Sequence, residues 1–402
     1  MSHLLALDPL FQSGHVGFSV FLVVAVKVLV AFALLLVSVM LYIWGMRKWI
    51  ADMQNRIGPN TAGPWGILQT LADGIKLFFK EQSIPDSADR VVFRLAPYLS
   101  IMPAFLLFCI IPIGGQVSIF GHQTFLQVAD LPIGALWILA MSGLGVYGVM
   151  LAGWASGSKY PLLGSVRATG QLLSYEAAFS LGILGVLVRA GTLSTHDIVS
   201  QQRWVNWHSF VSQWYWLPAF VPFVIFLIAA TAETNHPPFD LVEAEQELVG
   251  GFNTEYTGIR FAIFFLAEFM NVITMSAVAT TLFLGGPSGP GLGFLSAGNA
   301  LNTWLMPVFW FGLKVIALLF VTVWVRASMP RMRYDRLMAL GWKYLIEIAI
   351  LWVLVAAAIE VANVQNWNVW ATVLIAFGSA ALAYGVLYLA IPKPDEVVEE
   401  FR

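Results

Sequence analysis

Long apolar stretches alternate with short polar connections along almost the whole chain. Each stretch holds about 20 mostly apolar residues, the length at which a helix crosses the roughly 30 Å hydrocarbon core of a bilayer. The pattern predicts an all-α fold, a polytopic membrane helix bundle of about nine transmembrane helices in a single transmembrane domain, residues 1–392, followed by a short acidic tail at 393–402. The predicted spans are residues 16–44, 95–113, 131–154, 172–188, 214–232, 259–284, 303–325, 345–361 and 369–391.

Basic residues collect in the connections on one side of the predicted membrane. Lys and Arg concentrate in the cytoplasmic loops of membrane proteins, and here they fill the connections after the first and seventh spans. The asymmetry predicts an outside N-terminus, a cytoplasmic C-terminus and cytoplasmic loops at 45–94, 233–258 and 326–344. Connections on the other side read as short turns or loops. No basic residue precedes Lys27, so we expect the first span to be retained rather than cleaved as a secretory signal.

A shorter helical pattern follows the first predicted span. It extends over about fourteen residues, too few to cross a bilayer. Its apolar face contains Ile67, Leu68, Leu71, Ile75, Phe78 and Phe79, and its polar face contains Gln69, Asp73, Lys76 and Lys80. We expect one amphipathic helix that lies flat on the cytoplasmic side of the membrane. An amphipathic cap without a ligand role fits the same pattern.

Composition excludes several classes of function. The 402 residues are 59% hydrophobic and 11% charged, which rules out an ordinary water-soluble fold, and the net charge of -2 offers no surface for nucleic acid. The chain has a single cysteine, Cys109, scattered histidines and no nucleotide-binding glycine motif. We therefore expect no metal, NADH, flavin, haem or iron–sulfur cluster on this chain alone, and any redox centre must belong to a partner.

Ionisable residues inside the predicted spans are the strongest chemical signal. Glu176, Glu268 and Lys314 lie within apolar stretches, and Glu233 lies at the end of one. A charge at the bilayer centre costs roughly 2.5 to 3.5 kcal/mol, so these groups must face one another, water or a partner subunit. Such a buried track suits proton movement. The alternative is that some of these groups form pairs that only fix helix positions, or are satisfied by backbone carbonyls; it is favoured for Lys27, Glu347 and Glu360.

A short acidic loop follows the fifth predicted span. It holds six carboxylates, and no Lys or Arg precedes Arg260. The six are Glu233, Asp240, Glu243, Glu245, Glu247 and Glu255. Like charges this close raise one another's pKa values, and they can pair with the basic loops on the same side. A solvated loop is the simpler alternative, although the interleaved Phe239, Leu241 and Phe252 argue against full exposure.

Several motifs occur in the order typical of one known family. They are Met53-Gln-Asn-Arg-Ile-Gly-Pro-Asn60, Gly63-Pro-Trp-Gly66, the helix from Gln69 to Glu81, Arg167 with Ser174-Tyr-Glu176, the acidic loop, Ala267-Glu-Phe269, Lys314, and Arg326-Ala-Ser-Met-Pro-Arg-Met-Arg-Tyr-Asp-Arg-Leu-Met338. Together they cover most of the chain. The sequence therefore resembles the H subunit of bacterial NADH-quinone oxidoreductase, respiratory complex I, a family equivalent to the first mitochondrially encoded membrane subunit.

The resemblance implies a membrane subunit of a proton-translocating NADH:quinone oxidoreductase in the bacterial plasma membrane, with ubiquinone or menaquinone as substrate. FMN and iron–sulfur clusters would lie on partner subunits, and this chain would contribute no catalytic residue. With the hydrophilic arm it would form the quinone-tunnel entrance, through Arg47, Arg56, Gln69, Asp73, Lys76 and Phe239. It would also carry a charged path toward the other membrane-arm subunits, through Glu176, Glu233, Asp240, Glu243, Glu245, Glu247, Glu255, Glu268 and Lys314.

Two positions depart from the family pattern. Met46 stands before Arg47 and Lys48, where the family commonly has Glu. His236 follows the asparagine of the acidic motif, where the family commonly has Arg. The second change makes the loop more acidic, and we expect His236 to titrate within the physiological pH range and to tune the local charge.

Two other functions are consistent with a polar track in a helix bundle. The first is the homologous membrane subunit of a hydrogenase-type or deazaflavin-linked complex, against which the full acidic motif and the arginine-rich loop after the seventh span argue. The second is a stand-alone secondary transporter, whose sites lie at the membrane midplane on broken helices. The acidic residues of this chain gather at the cytoplasmic end instead.

Overall fold

The computed structural model describes residues 8–12, 17–204, 213–241, 249–290 and 301–390. Within these ranges, seven helices are long and apolar enough to cross a membrane, and two shorter apolar helices accompany them. Each predicted span coincides with one of them, which confirms the polytopic bundle. The helices are α1 Pro9–Gln12, α2 Phe18–Met53, α3 Gln69–Phe79, α4 Arg90–Phe108, α5 Gly134–Ala155, α6 Lys159–Ala190, α7 Thr195–Gln201, α8 Phe220–Glu233, α9 Gly258–Phe283, α10 Met306–Ser328, α11 Tyr334–Leu340, α12 Ile346–Gln365 and α13 Val369–Ala390.

Several helices extend beyond the predicted spans at one end of the bundle. α2 continues to Met53, α4 begins at Arg90 and α6 begins at Lys159. The corresponding predicted spans end at residue 44 and begin at residues 95 and 172. Hydropathy detects only the part of a helix that lies in hydrocarbon, whereas a helix continues past the bilayer because its backbone hydrogen bonds are internal. The extension of α6 places Gln171 on rigid helix rather than in a loop.

The helix extensions and the connections that adjoin them lie at one end of the bundle, which we call the basic end. The predicted cytoplasmic loops 45–94 and 326–344 lie there, together with the described parts of the predicted loop 233–258, residues 233–241 and 249–258. The backbone N–H of Asp89 donates to the carbonyl of Ala155 at 3.0 Å, which ties α4 to α5. The N–H of Met332 donates to the carbonyl of Pro238 at 3.1 Å, which ties the acidic loop to the loop after α10.

The opposite end contains short elements that the hydropathy pattern does not predict. Strands β1 Gln116–Ile119 and β2 His122–Phe125 pair antiparallel. The two residues between them have positive φ angles of 49° and 81°, as a two-residue hairpin turn requires. The connections expected to be plain turns or loops thus include a hairpin and the helix α7, because four-residue strands leave little periodicity to detect.

A buried ion pair fastens the N-terminal segment to this opposite end. The ammonium of Lys27 in α2 lies 2.8 Å from Asp8 Oδ2, and the two side chains are 6% and 5% exposed. The ammonium also donates to Thr124 Oγ1 at 2.8 Å, and that hydroxyl donates to Asp8 Oδ2 at 2.6 Å. The arrangement fits the expectation that Lys27 fixes a helix position.

The core lies where α6 packs against α8 and α9. The ring of Phe226 contacts those of Phe179 and Phe283, with centroid separations of 4.9 and 5.4 Å. All three side chains are fully buried. This packing fixes α6 against α8, and therefore Glu176 against Glu233, which lie about one and two helical turns from these rings.

Candidate functional site

A cavity with several polar groups on an otherwise apolar wall lies between α4, α5, α8 and α9, in the half of the bundle nearer the basic end, and we call it the polar cavity. Its volume is about 70 Å³, which is room for several waters because one water needs roughly 10–15 Å³. Polar atoms on its wall come from Ser100, Ser142, Glu233, Glu268 and Asn271. Two of the predicted path residues therefore share one polar space inside the bundle.

Glu233 and Glu176 approach each other beside this cavity. Glu233 is the last residue of α8, and the side chain of Ser142 hydrogen-bonds its carboxyl group. Oε2 of Glu233 is buried without a hydrogen-bond partner among the described residues. Glu176 on α6 is close enough to interact with Glu233 electrostatically. The charge on each acid therefore depends on the other, as a proton-transfer step between them would need.

A glycine makes room for Glu176 between α5 and α6. A Cβ built on Gly143 would lie 2.8 Å from Oε1 of Glu176, closer than a side-chain carbon can approach without displacement. The absence of a side chain at Gly143 lets the carboxylate lie against the α5 backbone. A lone glycine in an apolar stretch carries no sign of this role in the sequence.

His236 packs against Glu268 and is neutral. Its Nδ1 lies 3.0 Å from the carbonyl oxygen of Thr234 and 3.4 Å from Oε1 of Glu268. Burial of the imidazole and, secondarily, the positive charge of Arg326 lower the pKa of His236 to about 4. The expectation that His236 titrates within the physiological pH range is therefore wrong, because this side chain is almost fully shielded from water.

The two departures from the family pattern meet at one side chain. Nη1 of Arg326 donates to Sδ of Met46 at 3.4 Å, and the same guanidinium acts on His236. A glutamate at position 46 and an arginine at position 236 would add one charge of each sign around Arg326. Their joint replacement by Met and a neutral His leaves the net charge around Arg326 unchanged.

The other carboxylates of the acidic loop have different surroundings. Asp240 Oδ2 forms an ion pair with Arg331 Nη2 at 2.9 Å, so this loop pairs with a basic loop at the same end. Glu255 is half-buried and does not line the cavity. In the part of the chain that the structure describes, no group of three or more His, Cys, Asp or Glu residues could hold a metal ion. Outside the described residues lie Glu243, Glu245 and Glu247.

Lys314 lies far from these acids. Its ammonium donates to three carbonyl oxygens beyond the end of α9, at 2.7, 2.8 and 2.6 Å, those of Leu284, Gly286 and Ser288. It also lies 3.9 Å from the centre of the Trp214 ring. Between Glu268 and Leu284 the chain rises about 24 Å along the helix axis. The structure therefore places Lys314 at the opposite end of the bundle and does not bring it to the cavity.

A large apolar groove lies on another side of α9, between α2 and α3. Its volume is about 670 Å³. The groove is open beside α3, where Phe78 is 70% exposed. Most of its lining residues are apolar, among them Met40, Ile43, Leu71, Ile75, Phe78 and Phe265. The amphipathic helix thus presents its apolar face to the bundle and to the surrounding membrane.

Polar groups gather at the rim of this groove toward the basic end. Nη1 of Arg47 pairs with Oδ2 of Asp73 at 2.8 Å, and both residues line the groove. Nε2 of Gln69 donates to Oδ1 of Asp73 at 3.1 Å. Three of the predicted tunnel residues therefore meet at one polar rim.

The other predicted tunnel residues do not line the groove. Arg56 and Lys76 are exposed, the first in the loop after α2 and the second on α3. Phe239 is buried in the core, where its ring centroid lies 5.6 Å from that of Tyr175. A role for these three at the quinone stays a prediction.

Uncharged residues complete the cavity, and a pattern of ionisable groups does not reveal them. Ser100, Ser142 and Asn271 bring polar atoms to its wall, and Gln171 of α6 donates to the backbone at the end of α8. An amide inside an apolar stretch is a signal that can identify Asn271, about one helical turn from Glu268. Serines give no such signal, because a helix can satisfy their hydroxyls through its own carbonyls.

Known proteins match the chain over most of its length. A family model described as NADH dehydrogenase matches residues 26–357. The NADH-quinone oxidoreductase H subunit of Frankia casuarinae is 49% identical over 364 residues, which are 89% of this chain and 77% of the relative. The corresponding H subunit of Frankia alni is 52% identical over 345 residues, which are 85% of this chain and 73% of the relative. The chain therefore belongs to the NADH dehydrogenase family, as a membrane subunit of the NADH-quinone oxidoreductase type found in complex I.

Proposed function

We propose that this chain forms the membrane part of the quinone entrance and a charged path leading from it into the membrane arm. The observation that carries the proposal is the position of α9. Phe265 and Leu266 line the apolar groove, whereas Glu268 and Asn271 line the polar cavity. A single helix therefore separates the space suited to a quinone from the space that holds the acids.

The groove suits a quinone, which has a long apolar tail and a small polar head. Its apolar walls can bury the tail, and its opening beside α3 leads to the membrane. Arg47, Asp73 and Gln69 supply hydrogen-bonding groups at the rim toward the basic end. We expect ubiquinone or menaquinone to enter from the bilayer with its head directed toward that rim.

Reduction of a quinone changes the charge in its site, and proton movement must balance this change. Across α9, a charge lies about 10 Å from Glu268, a distance over which a low dielectric keeps interactions strong. Glu268 shares the cavity with Glu233, and Glu233 interacts with Glu176. We call Glu268, Glu233 and Glu176 the acid cluster. Together they can pass the change in charge from α9 through α8 to α6.

The orientation follows from the charges at the basic end. In this proposal that end faces the bacterial cytoplasm and receives the hydrophilic arm, whose subunits hold FMN and the iron–sulfur clusters. Its exposed arginines, such as Arg56 and Arg333, offer a docking surface. The N-terminus is then outside, and the C-terminus is cytoplasmic. Other membrane-arm subunits pack beside the bundle and take over the charged path.

Replacing Glu176 or Glu233 by Gln tests the path. Glutamine keeps the shape of the side chain and one acceptor oxygen but cannot take up or release a proton. We expect either variant to lower NADH-driven quinone reduction and the linked proton pumping by at least about tenfold, or 1.4 kcal/mol. Both activities are measured in membrane vesicles, with the amount of assembled complex determined by native electrophoresis.

Glu81→Gln is the matched control for these variants. It removes an exposed carboxylate after α3 that does not line the cavity, and we expect it to leave both activities near the wild-type level. Full activity of an assembled Glu233→Gln or Glu176→Gln complex would contradict the charged path.

Filling the groove tests the quinone entrance. A Cβ on Gly74 meets nothing within 4 Å, and Gly74 lines the groove, so a Trp at this position projects into space that a quinone would occupy. We expect Gly74→Trp to raise the KM for quinone by about tenfold with a smaller effect on kcat. Gly312→Trp on α10, where a Cβ likewise meets nothing within 4 Å, adds the same bulk outside the groove and serves as the control. An unchanged KM in Gly74→Trp would place the quinone elsewhere.

A further inference from the structure

Gln171 bridges two parts of the acidic segment. Its side chain is fully buried on α6. Nε2 donates to the carbonyl oxygen of Ala232 at 2.9 Å and to that of Phe239 at 3.0 Å, and it lies 3.4 Å from Oδ1 of Asn235. One amide group therefore holds both ends of the segment 232–239.

The first of these contacts acts directly beside an acid of the cluster. Ala232 precedes Glu233 in the last turn of α8, where the final carbonyls of a helix have no partner further along the helix. A donor from α6 fixes the peptide from which the Glu233 side chain departs. Gln171 also lies on the same helix as Glu176, about 7.5 Å away along the axis. The amide therefore ties the backbone of one acid to the helix that carries the other.

Other bonds hold the far side of the same segment. Arg331 pairs with Asp240 at 2.9 Å, and the N–H of Met332 donates to the carbonyl of Pro238 at 3.1 Å. Both bonds come from the loop after α10 and act at the end of the segment remote from Glu233. They cannot replace the contact of Gln171 with Ala232, because neither of them reaches the last turn of α8.

We propose that Gln171 is a positioning residue that sets the separation of Glu176 and Glu233. The inference rests on the proposed function, because the separation matters only if charge passes between these two acids. Loss of the amide removes a hydrogen bond that ties the last turn of α8 to α6, so that the carboxyl group of Glu233 moves relative to Ser142 and Glu176. Transfer between acids is then slower, although the fold and the quinone groove are intact.

Two substitutions at position 171 separate positioning from packing. Gln171→Met keeps the volume and removes both donated hydrogen bonds, and we expect it to lower proton-linked quinone reduction by roughly tenfold at every pH. Gln171→Glu keeps the shape and donates one hydrogen bond only while its carboxyl is protonated. We expect the activity of this variant, relative to wild type, to recover as the pH falls.

Gln127 supplies the matched control. It is a second buried glutamine, whose Nε2 donates to the carbonyl of Ile110 at 2.7 Å and to Thr195 Oγ1 at 3.1 Å at the opposite end of the bundle. Gln127→Met has the same cost in lost hydrogen bonds, and we expect it to lower thermal stability without changing the pH profile or the protons pumped per NADH. The same pH profile in the Met and Glu variants at position 171 would overturn the positioning role.

The double variant Gln171→Met/Glu233→Gln identifies the residue through which Gln171 acts. If that residue is Glu233, the assembled double variant is no less active than Glu233→Gln alone, because interacting sites are not additive. Additive losses would overturn the inference. Loss of activity in Glu233→Gln beside full activity in Gln171→Met would overturn it and leave the proposed function standing. Full activity in Glu233→Gln would instead remove the proposed function and this role together.

Discussion

Replacing Lys314 by Met is expected to remove most of this chain from the assembled complex. The substitution leaves three carbonyl oxygens without their donor, that of Gly286, which is buried, and those of Leu284 and Ser288, which are partly buried. An unsatisfied buried group costs roughly 1–3 kcal/mol, and the typical stability of a protein is only about 5–15 kcal/mol. The lost ammonium also lies over the Trp214 ring and near the C-terminal end of α9, where the helix dipole favours a cation.

The amount of this chain in membranes and its thermal unfolding midpoint measure this effect. Lys343→Met, at an exposed lysine after α11, removes the same charge without stranding a buried carbonyl and is expected to assemble normally. Lys314→Arg keeps a cation and is expected to recover part of the assembly. A Lys314→Met complex that assembles and melts like wild type but no longer pumps protons would contradict the structural role. It would return Lys314 to the charged path that its position in an apolar stretch predicts.

Lys314 also illustrates what an apolar pattern can and cannot predict. The cost of a buried charge identifies Lys314, Glu176 and Glu268 equally well, because each lies in a long apolar stretch. The pattern does not say at what depth each side chain lies or which helix it faces. Those properties depend on the packing of α6 against α8 and α9. The sequence therefore predicts a set of buried charges. The fold places Glu176 and Glu268 in the acid cluster and Lys314 at the opposite end of the bundle, where it binds the carbonyl oxygens beyond α9.

The sequence predicts those parts of the helices that lie in the hydrocarbon core of the membrane. Every predicted span coincides with an apolar helix of the described ranges. The elements that the apolar pattern does not predict lie outside the hydrocarbon core. They are the extension of α6 that carries Gln171 and the four-residue strands of the hairpin. Gly143 is unpredictable for a related reason, since its importance comes from the atom of Glu176 that lies against it.

His236 shows the same limit for electrostatics. An unperturbed histidine titrates near neutral pH, and an acidic loop would favour its charged form. In the fold, burial and the charge of Arg326 outweigh the hydrogen bond to the Thr234 carbonyl and lower the pKa of His236 to about 4. A histidine with a lowered pKa contributes stability that is complete above its unfolded pKa of about 6.5 and is lost as the pH falls through about 4.

Neutralising Asp8 is expected to destabilise the opposite end of the bundle. Asp8→Asn leaves the Lys27 ammonium buried without its carboxylate, which lies 2.8 Å away in the wild type. Breaking a buried pair by removing one partner costs about 3–5 kcal/mol, because an uncompensated charge remains. The thermal unfolding midpoint of the assembled complex measures the loss. Asp335→Asn is the control, since Asp335 pairs with Arg333 at 3.0 Å on the surface and exposed pairs contribute about 0–1 kcal/mol.

Removing both charges distinguishes the cost of an unpaired buried charge from the loss of the contact between Asp8 and Thr124. Asp8→Asn/Lys27→Met leaves no buried charge, and replacement of a whole buried pair by uncharged residues is often neutral or stabilising. We therefore expect the double variant to melt closer to wild type than Asp8→Asn alone, with the Thr124 hydroxyl still able to donate to the Asn side chain. A double variant as unstable as the single one would mean that the carboxylate acts mainly through Thr124 and the hairpin. In that case the hairpin, rather than α2, is the element that Asp8 holds in place.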